Sequence, residues 1–216
     1  MMRSGVLVCT LLLCGCVATV FPPPRTDQSR PVYVLDHGRH TSLVLGTPDQ
    51  GLVRWAYGDW GWYAEGDQRP LRAFPVLLLR TPAALGRQSL HTLYDPDAIR
   101  AAVPVVTDRV FVIHADAARI DRLQARQEAL FASGRQDGRL ESPAFGLVFV
   151  PHPVPYRIDH NSNHMVASWL TELDCRVQGN PTLGNWRVVD ADGVAWTDVR
   201  AGQIPAKQLD TWGMIR

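Results

Sequence analysis

Cross-linking capacity is nearly absent from this chain. Its four cysteines are Cys9, Cys14, Cys16 and Cys175, three of them within the first sixteen residues. If that leader is removed at Cys16 and Cys16 is itself modified, Cys175 is the one free thiol, and no intrachain disulfide is available. Net charge is also missing: one of the 22 basic residues and none of the 21 acids lies in residues 1–16, so the remainder carries 21 of each sign. A neutral body argues against nucleic acid as a partner. No internal repeat with a period of about 20 to 50 residues is visible, which excludes a solenoid or propeller. The apolar run from Gly5 to Leu13 is too short to stand as a permanent membrane-spanning helix.

What is present in the leader is a basic start at Arg3, that apolar run, and Gly15 directly before Cys16. These features read as a signal peptide over residues 1–15. Leu13-Cys14-Gly15-Cys16 resembles the bacterial lipobox, and the resemblance implies that Cys16 becomes an acylated N-terminus, palmitate among its chains. Three acyl chains exceed the two signals that stable anchoring needs. Val17 and Ala18 follow in place of the aspartate that resembles an inner-membrane retention signal, so the expected address is the outer membrane, facing the periplasm. Residues 16–30, with Pro22-Pro23-Pro24, read as a semi-rigid tether, and the body is expected from Pro31 to residue 216.

With 216 residues and 46% hydrophobic side chains, the chain can bury a single core. Pro31–Asp36 and Thr41–Leu45 read as strands joined through His37-Gly38-Arg39-His40. Pro75–Arg80, Arg109–His114 and Phe145–Val150 are further strands, whereas Pro82–Ala102 looks partly helical and the His152-Pro153-Val154-Pro155 stretch looks irregular. Asp116 suits the N-cap of a helix reaching about Ala132, with Gly134 beyond it. Met165, Val166, Trp169, Leu170 and Leu173 form a helical stripe from Ser162, with Gly179 as its stop. Trp186–Asp190 and Val194–Val199 suggest a terminal hairpin. The absence of regular β-α alternation makes the fold class α+β.

Three groups of residues invite chemistry. His37 and His40 sit at a strand edge, where an imidazole titrates near working pH and suits a general base. Asn161-Ser162-Asn163-His164 opens a helix whose N–H groups favour a nucleophile or an oxyanion; either Asn161 or Ser162 also fits as a plain N-cap. Trp55-Ala56-Tyr57-Gly58-Asp59-Trp60-Gly61-Trp62-Tyr63 reads as an aromatic loop around one carboxylate, a substrate wall or a packing loop. Cys175, near the end of the same helix, reads as a packed structural thiol, because a helix C-terminus disfavours the thiolate. His37, His40, His160 and His164 offer an alternative zinc set, without the Glu of a His-Glu-x-x-His protease.

The segments His37–Leu45, Tyr57–Tyr63 and Asn161–Ala167, in this order, resemble the bacterial domain of unknown function 2459 family, often encoded near urease genes. That family is in turn similar to circularly permuted papain-like (NlpC/P60-type) hydrolases. The resemblance implies an antiparallel sheet packed against the helix beginning near Ser162, with His40 at the base position, Ser162 at the nucleophile position, and no cofactor. Asp59, Asn161 and Asn163 are the candidates to orient the histidine. A periplasmic hydrolase or acyltransferase of this kind would meet murein peptide or another acyl substrate. The sequence departs from the family pattern where it matters: Ser162 replaces cysteine, His164 threonine and Met165 tryptophan. A hydroxyl must lose its proton during attack, whereas a thiol needs only a stabilised ion pair. Either a weak serine enzyme or a noncatalytic binding or scaffolding lipoprotein is therefore expected.

Overall fold

The computed structural model describes residues 17–49, 51–69 and 79–189. Residues 1–16, with the expected signal peptide and Cys16, lie outside them, as do residues 75–78 of one expected strand and the Val194–Val199 half of the expected hairpin.

The body is α+β, as expected. Seven antiparallel strands form one sheet in the order β6-β2-β3-β4-β5-β8-β7: β2 (Ser29–Asp36), β3 (Thr41–Gly46), β4 (Leu52–Asp59), β5 (Thr81–Leu90), β6 (Arg109–Asp116), β7 (Leu140–Ser142) and β8 (Leu147–Tyr156). A second sheet has the order β10-β1-β9, from β1 (Val17–Phe21), β9 (Arg176–Gly179) and β10 (Asn185–Val188). Three α-helices are described: α1 (Pro96–Ala102), α2 (Ala117–Asp137) and α3 (Ser162–Glu172).

The large sheet buries both faces, so its central strands are nearly unbroken apolar runs. On one face Val34, Leu43, Trp55, Tyr57 and Leu85 pack with Ile120 and Phe131 of α2, with Val166 and Trp169 of α3, and with Ala18 and Trp186 of the small sheet. On the other, Tyr33, Leu35 and Val44 pack with Ile99 of α1, and Ala56, Ala84 and Phe149 pack with Phe145 and Tyr63. Alternation along β3 therefore sends Thr41 and Leu43 toward α3 and Ser42 and Val44 away from it.

The helix signals were partly legible. Asp116 caps α2 by accepting from Arg119 N at 3.0 Å. The helix runs on through Gly134, however, because a Cβ there would sit 2.7 Å from the Pro151 carbonyl; the glycine permits close contact with β8 rather than ending the helix. Helix α3 stops at Asp174, five residues before Gly179. Asp174 takes φ 70, with Asp174 N bonded to Thr171 O and Cys175 N to Leu170 O, a Schellman ending built on aspartate. Cys175, directly past it, is buried and its thiol is pushed up to about 12 by that burial, which fits a packed, unreactive sulfur.

Four expectations are corrected. The tether is not wholly a tether: Val17–Phe21 is a strand that pairs with β9 and β10, its Ala18 and Val20 buried in the main core. The expected helix at Pro82 is the strand β5, held on both sides by β4 and β8, with α1 beginning only at Pro96 under an Asp95 cap. The His152-Pro153-Val154-Pro155 stretch belongs to β8. Its prolines are accommodated because the ladder skips there: Thr81 faces Tyr156 while Ala83 faces His152, so three residues bulge opposite Pro82, and no ladder N–H is required of them. The aromatic loop is strand β4 as far as Asp59, then a π-helical turn over Trp60–Ala64.

Candidate functional site

Helix α3 enters over the β2–β3 hairpin, and Asn161 is its cap. Asn161 Oδ1 accepts from Asn163 N at 3.0 Å, His164 N at 3.2 Å and His164 Nδ1 at 3.0 Å, while Nδ2 donates to Thr182 O at 2.9 Å. Asn163, 0% exposed, joins the helix to the hairpin. Its Oδ1 accepts from Thr41 Oγ1 at 2.7 Å, and its Nδ2 donates to Arg39 O and Thr182 O at 3.2 and 3.1 Å. Thr41 Oγ1 in turn accepts from Trp186 Nε1 at 2.7 Å. Both asparagine side chains are thus committed to the helix start, and the one histidine ring they hold is that of His164, by Asn161, and not that of His40. Replacing Asn163 with Ala strands a buried hydroxyl and two carbonyls at once, so the protein is expected to lose about 2–3 kcal/mol of stability, measured by urea unfolding at unchanged m-value.

Ser162 occupies the first turn of α3 and is 1% exposed. No side-chain hydrogen bond joins it to another described residue. His40 stands in the neighbouring β2–β3 hairpin. Its ring packs on Tyr63 at 4.8 Å between centroids and on His37 at 6.0 Å. Tyr63 belongs to the cluster with Phe145 and Phe149, on the sheet face opposite α3. His40 Nδ1 is buried without a hydrogen-bond partner among the described residues, so neither Asp59 nor an asparagine orients the ring. Burial, reinforced by the Arg54 charge, pushes His40 down to about 3, which keeps the ring neutral. The structure brings His40 and Ser162 to one end of the sheet, where Asn163 Nδ2 donates to Arg39 O, and no hydrogen bond joins the two side chains.

Asp59 is 0% exposed, and its Oδ1 accepts from Trp62 N at 2.8 Å, capping the π-helical turn. His37 has a different task from the one expected. Its Nδ1 faces the Val106 carbonyl at 3.0 Å, which can only accept; Nε2 therefore accepts, from Ser42 Oγ at 2.9 Å and Arg54 Nη2 at 3.3 Å. Arg54 is 1% exposed. Its other donors go to Ser42 Oγ at 3.0 Å, Gln88 Oε1 at 3.2 Å and Phe145 O at 3.0 Å. No carboxylate among the described residues pairs with it, and burial pulls it down to about 9. Sequence reading passed over Arg54, because one arginine in an apolar strand carries no motif.

The zinc alternative is not supported. Among the described residues no group of three or more His, Cys, Asp or Glu side chains is arranged to hold a metal. His37 and His40 are on one face, whereas His160 contacts Tyr57 at 5.6 Å, within the side-chain layer facing α3.

On that α3-facing layer the structure joins part of the marked aromatic segment to the His-Pro-Val-Pro stretch, a pairing the sequence did not suggest. Tyr57 lies 5.0 Å from His152 and stacks on Tyr156 at 5.9 Å, and its hydroxyl donates to Val154 O at 3.0 Å. Beside them, at the β5–β8 bulge, opens a cavity of about 450 Å³ lined by Trp60, Pro82, Asp137, His152, Pro153 and Pro155 among others. This volume lies within the span of small-molecule sites, about 300–1,000 Å³. The signal was present in the proline cluster, but only the bulge turns those prolines into walls. No protein-family model, curated protein or solved structure matches this chain.

Proposed function

We propose that this chain is an outer-membrane lipoprotein, anchored through acylated Cys16 and facing the periplasm, whose permuted papain-like body binds rather than hydrolyses. The observation that carries the noncatalytic reading is that the buried Ser162 hydroxyl makes no hydrogen bond to His40 or to any other described side chain, while the His40 ring packs on Tyr63. A serine hydroxyl is a weak nucleophile unless a base takes its proton, and His40 supplies none. The papain-like assignment is supported by an antiparallel sheet under a helix starting at Ser162 and by the Asn163 bond to Arg39, which sets that start beside the His40 hairpin. The serine in place of a thiol agrees with a disarmed relative.

Incubating the folded protein with a fluorophosphonate and mapping peptides is expected to leave Ser162 unmodified. Restoring the thiol in Ser162→Cys is expected to yield no acyl transfer, because the base would still be missing. Stoichiometric labelling of Ser162 in the native chain overturns the reading.

A further inference from the structure

The cavity at the β5–β8 bulge has walls and polar groups that a ligand would have to satisfy together. Trp60 is half-buried, and its Nε1 is tied to Glu65 Oε1 at 3.0 Å. The ring is held by its edge. Pro82, Pro153 and Pro155 add flat apolar surface without backbone donors. His152 Nδ1 is engaged by the backbone of Val154, with the amide nitrogen at 3.1 Å and the carbonyl at 3.2 Å, which leaves Nε2 for a ligand. Asp137, at the exposed end of α2, supplies one carboxylate.

Two buried polar atoms outside the cavity's lining, on the neighbouring Thr81 and His160, have no hydrogen-bond partner among the described residues. One is Thr81 Oγ1, on a residue 7% exposed that precedes Pro82 and faces Tyr156, next to Pro155. The other is His160 Nε2, on a ring that shares Tyr57 with His152. Buried polar atoms are normally satisfied, and an orphan in a native structure asks for a reason.

The chemistry narrows the ligand. An anion would meet Asp137. An acyl chain would cover the Asp137 carboxylate and the open His152 Nε2 with nothing to bond to them. A free metal ion lacks ligands here. A flat ring with hydroxyl groups along its rim suits an indole, proline walls and scattered donors and acceptors at once. We infer that this cavity binds an uncharged pyranose ring of an oligosaccharide, stacked on Trp60 and hydrogen-bonded by Asp137 and His152. The inference rests on the binding reading above and gives that reading a ligand class. Burial keeps His152 and His160 below the ordinary histidine range, so both rings are neutral at pH 7 and can donate and accept.

The test is calorimetric titration of the full chain with cellotriose, maltotriose and chitotriose, beside dodecanoate and trialanine. At least one trisaccharide is expected to bind saturably. Trp60→Ala is expected to weaken it about tenfold, the loss of one aromatic contact, and His152→Ala several-fold. Absence of binding by all three sugars, binding untouched by Trp60→Ala and His152→Ala in folded protein, or preference for dodecanoate or trialanine overturns the inference. None of these outcomes alters fluorophosphonate reactivity at Ser162, so failure here is distinguishable from failure of the noncatalytic reading.

Discussion

Arg54→Ala is expected to destabilise the protein by about 3–5 kcal/mol, the cost of breaking a buried charged network from one side. The guanidinium is the hub of the sheet face opposite α3, reaching Ser42, Gln88, Phe145 O and His37. Its removal leaves those acceptors in a dry interior and opens a cavity as large as the side chain. Arg54→Met separates the two effects, since it restores most of the volume and none of the donors. If the network dominates, Met recovers less than half of the loss; if packing dominates, Met recovers most of it. Urea denaturation of the three proteins at pH 7 measures the difference, and a loss below about 1 kcal/mol for Ala, an ordinary surface value, would refute the network's importance.

The second large effect is acid sensitivity. His37 and His40 are both held below the ordinary histidine value of 6.5, chiefly by burial and then by the Arg54 charge. Folded pKa values below the unfolded ones mean that the unfolded chain binds more protons. Stability is therefore complete above about pH 6.5 and declines as the pH falls, continuing toward about 3 for His40. Each fully displaced histidine contributes a slope of about 1.4 kcal/mol per pH unit. For these two rings, reduced for their partial exposure, the loss between pH 6.5 and 5 is about 2–3 kcal/mol. His152, His160 and His164 are displaced the same way and steepen the decline. Asp36, whose carboxyl burial pushes up, works in the opposite sense, but only nearer the carboxylate range. His40→Phe keeps a ring against Tyr63 and removes one titration, so its stability profile between pH 6.5 and 5 should be visibly flatter. An unchanged slope contradicts a neutral, buried His40.

The elements legible in the sequence were those whose local signals agree with their surroundings. The β2–β3 hairpin carries β-branched runs on both sides of a Gly38 that takes φ +87. Helices α2 and α3 announce themselves through Asp116 and Asn161 and through apolar stripes. The misread elements are those that neighbours decide. Strand β5 has Ala83, Ala84 and Gly86, a helical or neutral composition, because large rings pack over it; a Cβ on Gly86 would meet the Phe149 ring at 2.6 Å. Strand β1 reads as linker because five residues show little until β9 and β10 return from more than 150 positions away to flank them. At the site, motif reading located the helix start and the histidine hairpin, and both are adjacent through Asn163 and Arg39. It could not assign sheet faces there, since one residue of alternation separates a ring pointing to α3 from one pointing away.

Strand β1 also bears on mechanics. Val17, the residue after Cys16, is hydrogen-bonded within the small sheet, opposite Asn185 and one residue from the Ala18 pairing with Gly179. With acyl chains on Cys16, lipid and folded protein would be joined by a single peptide bond instead of a swinging leash. The body would then sit close to the bilayer, with no leash to carry it away. Its range of reach would be set by lateral diffusion of the whole anchor, so that partners would have to come to the membrane surface to meet it.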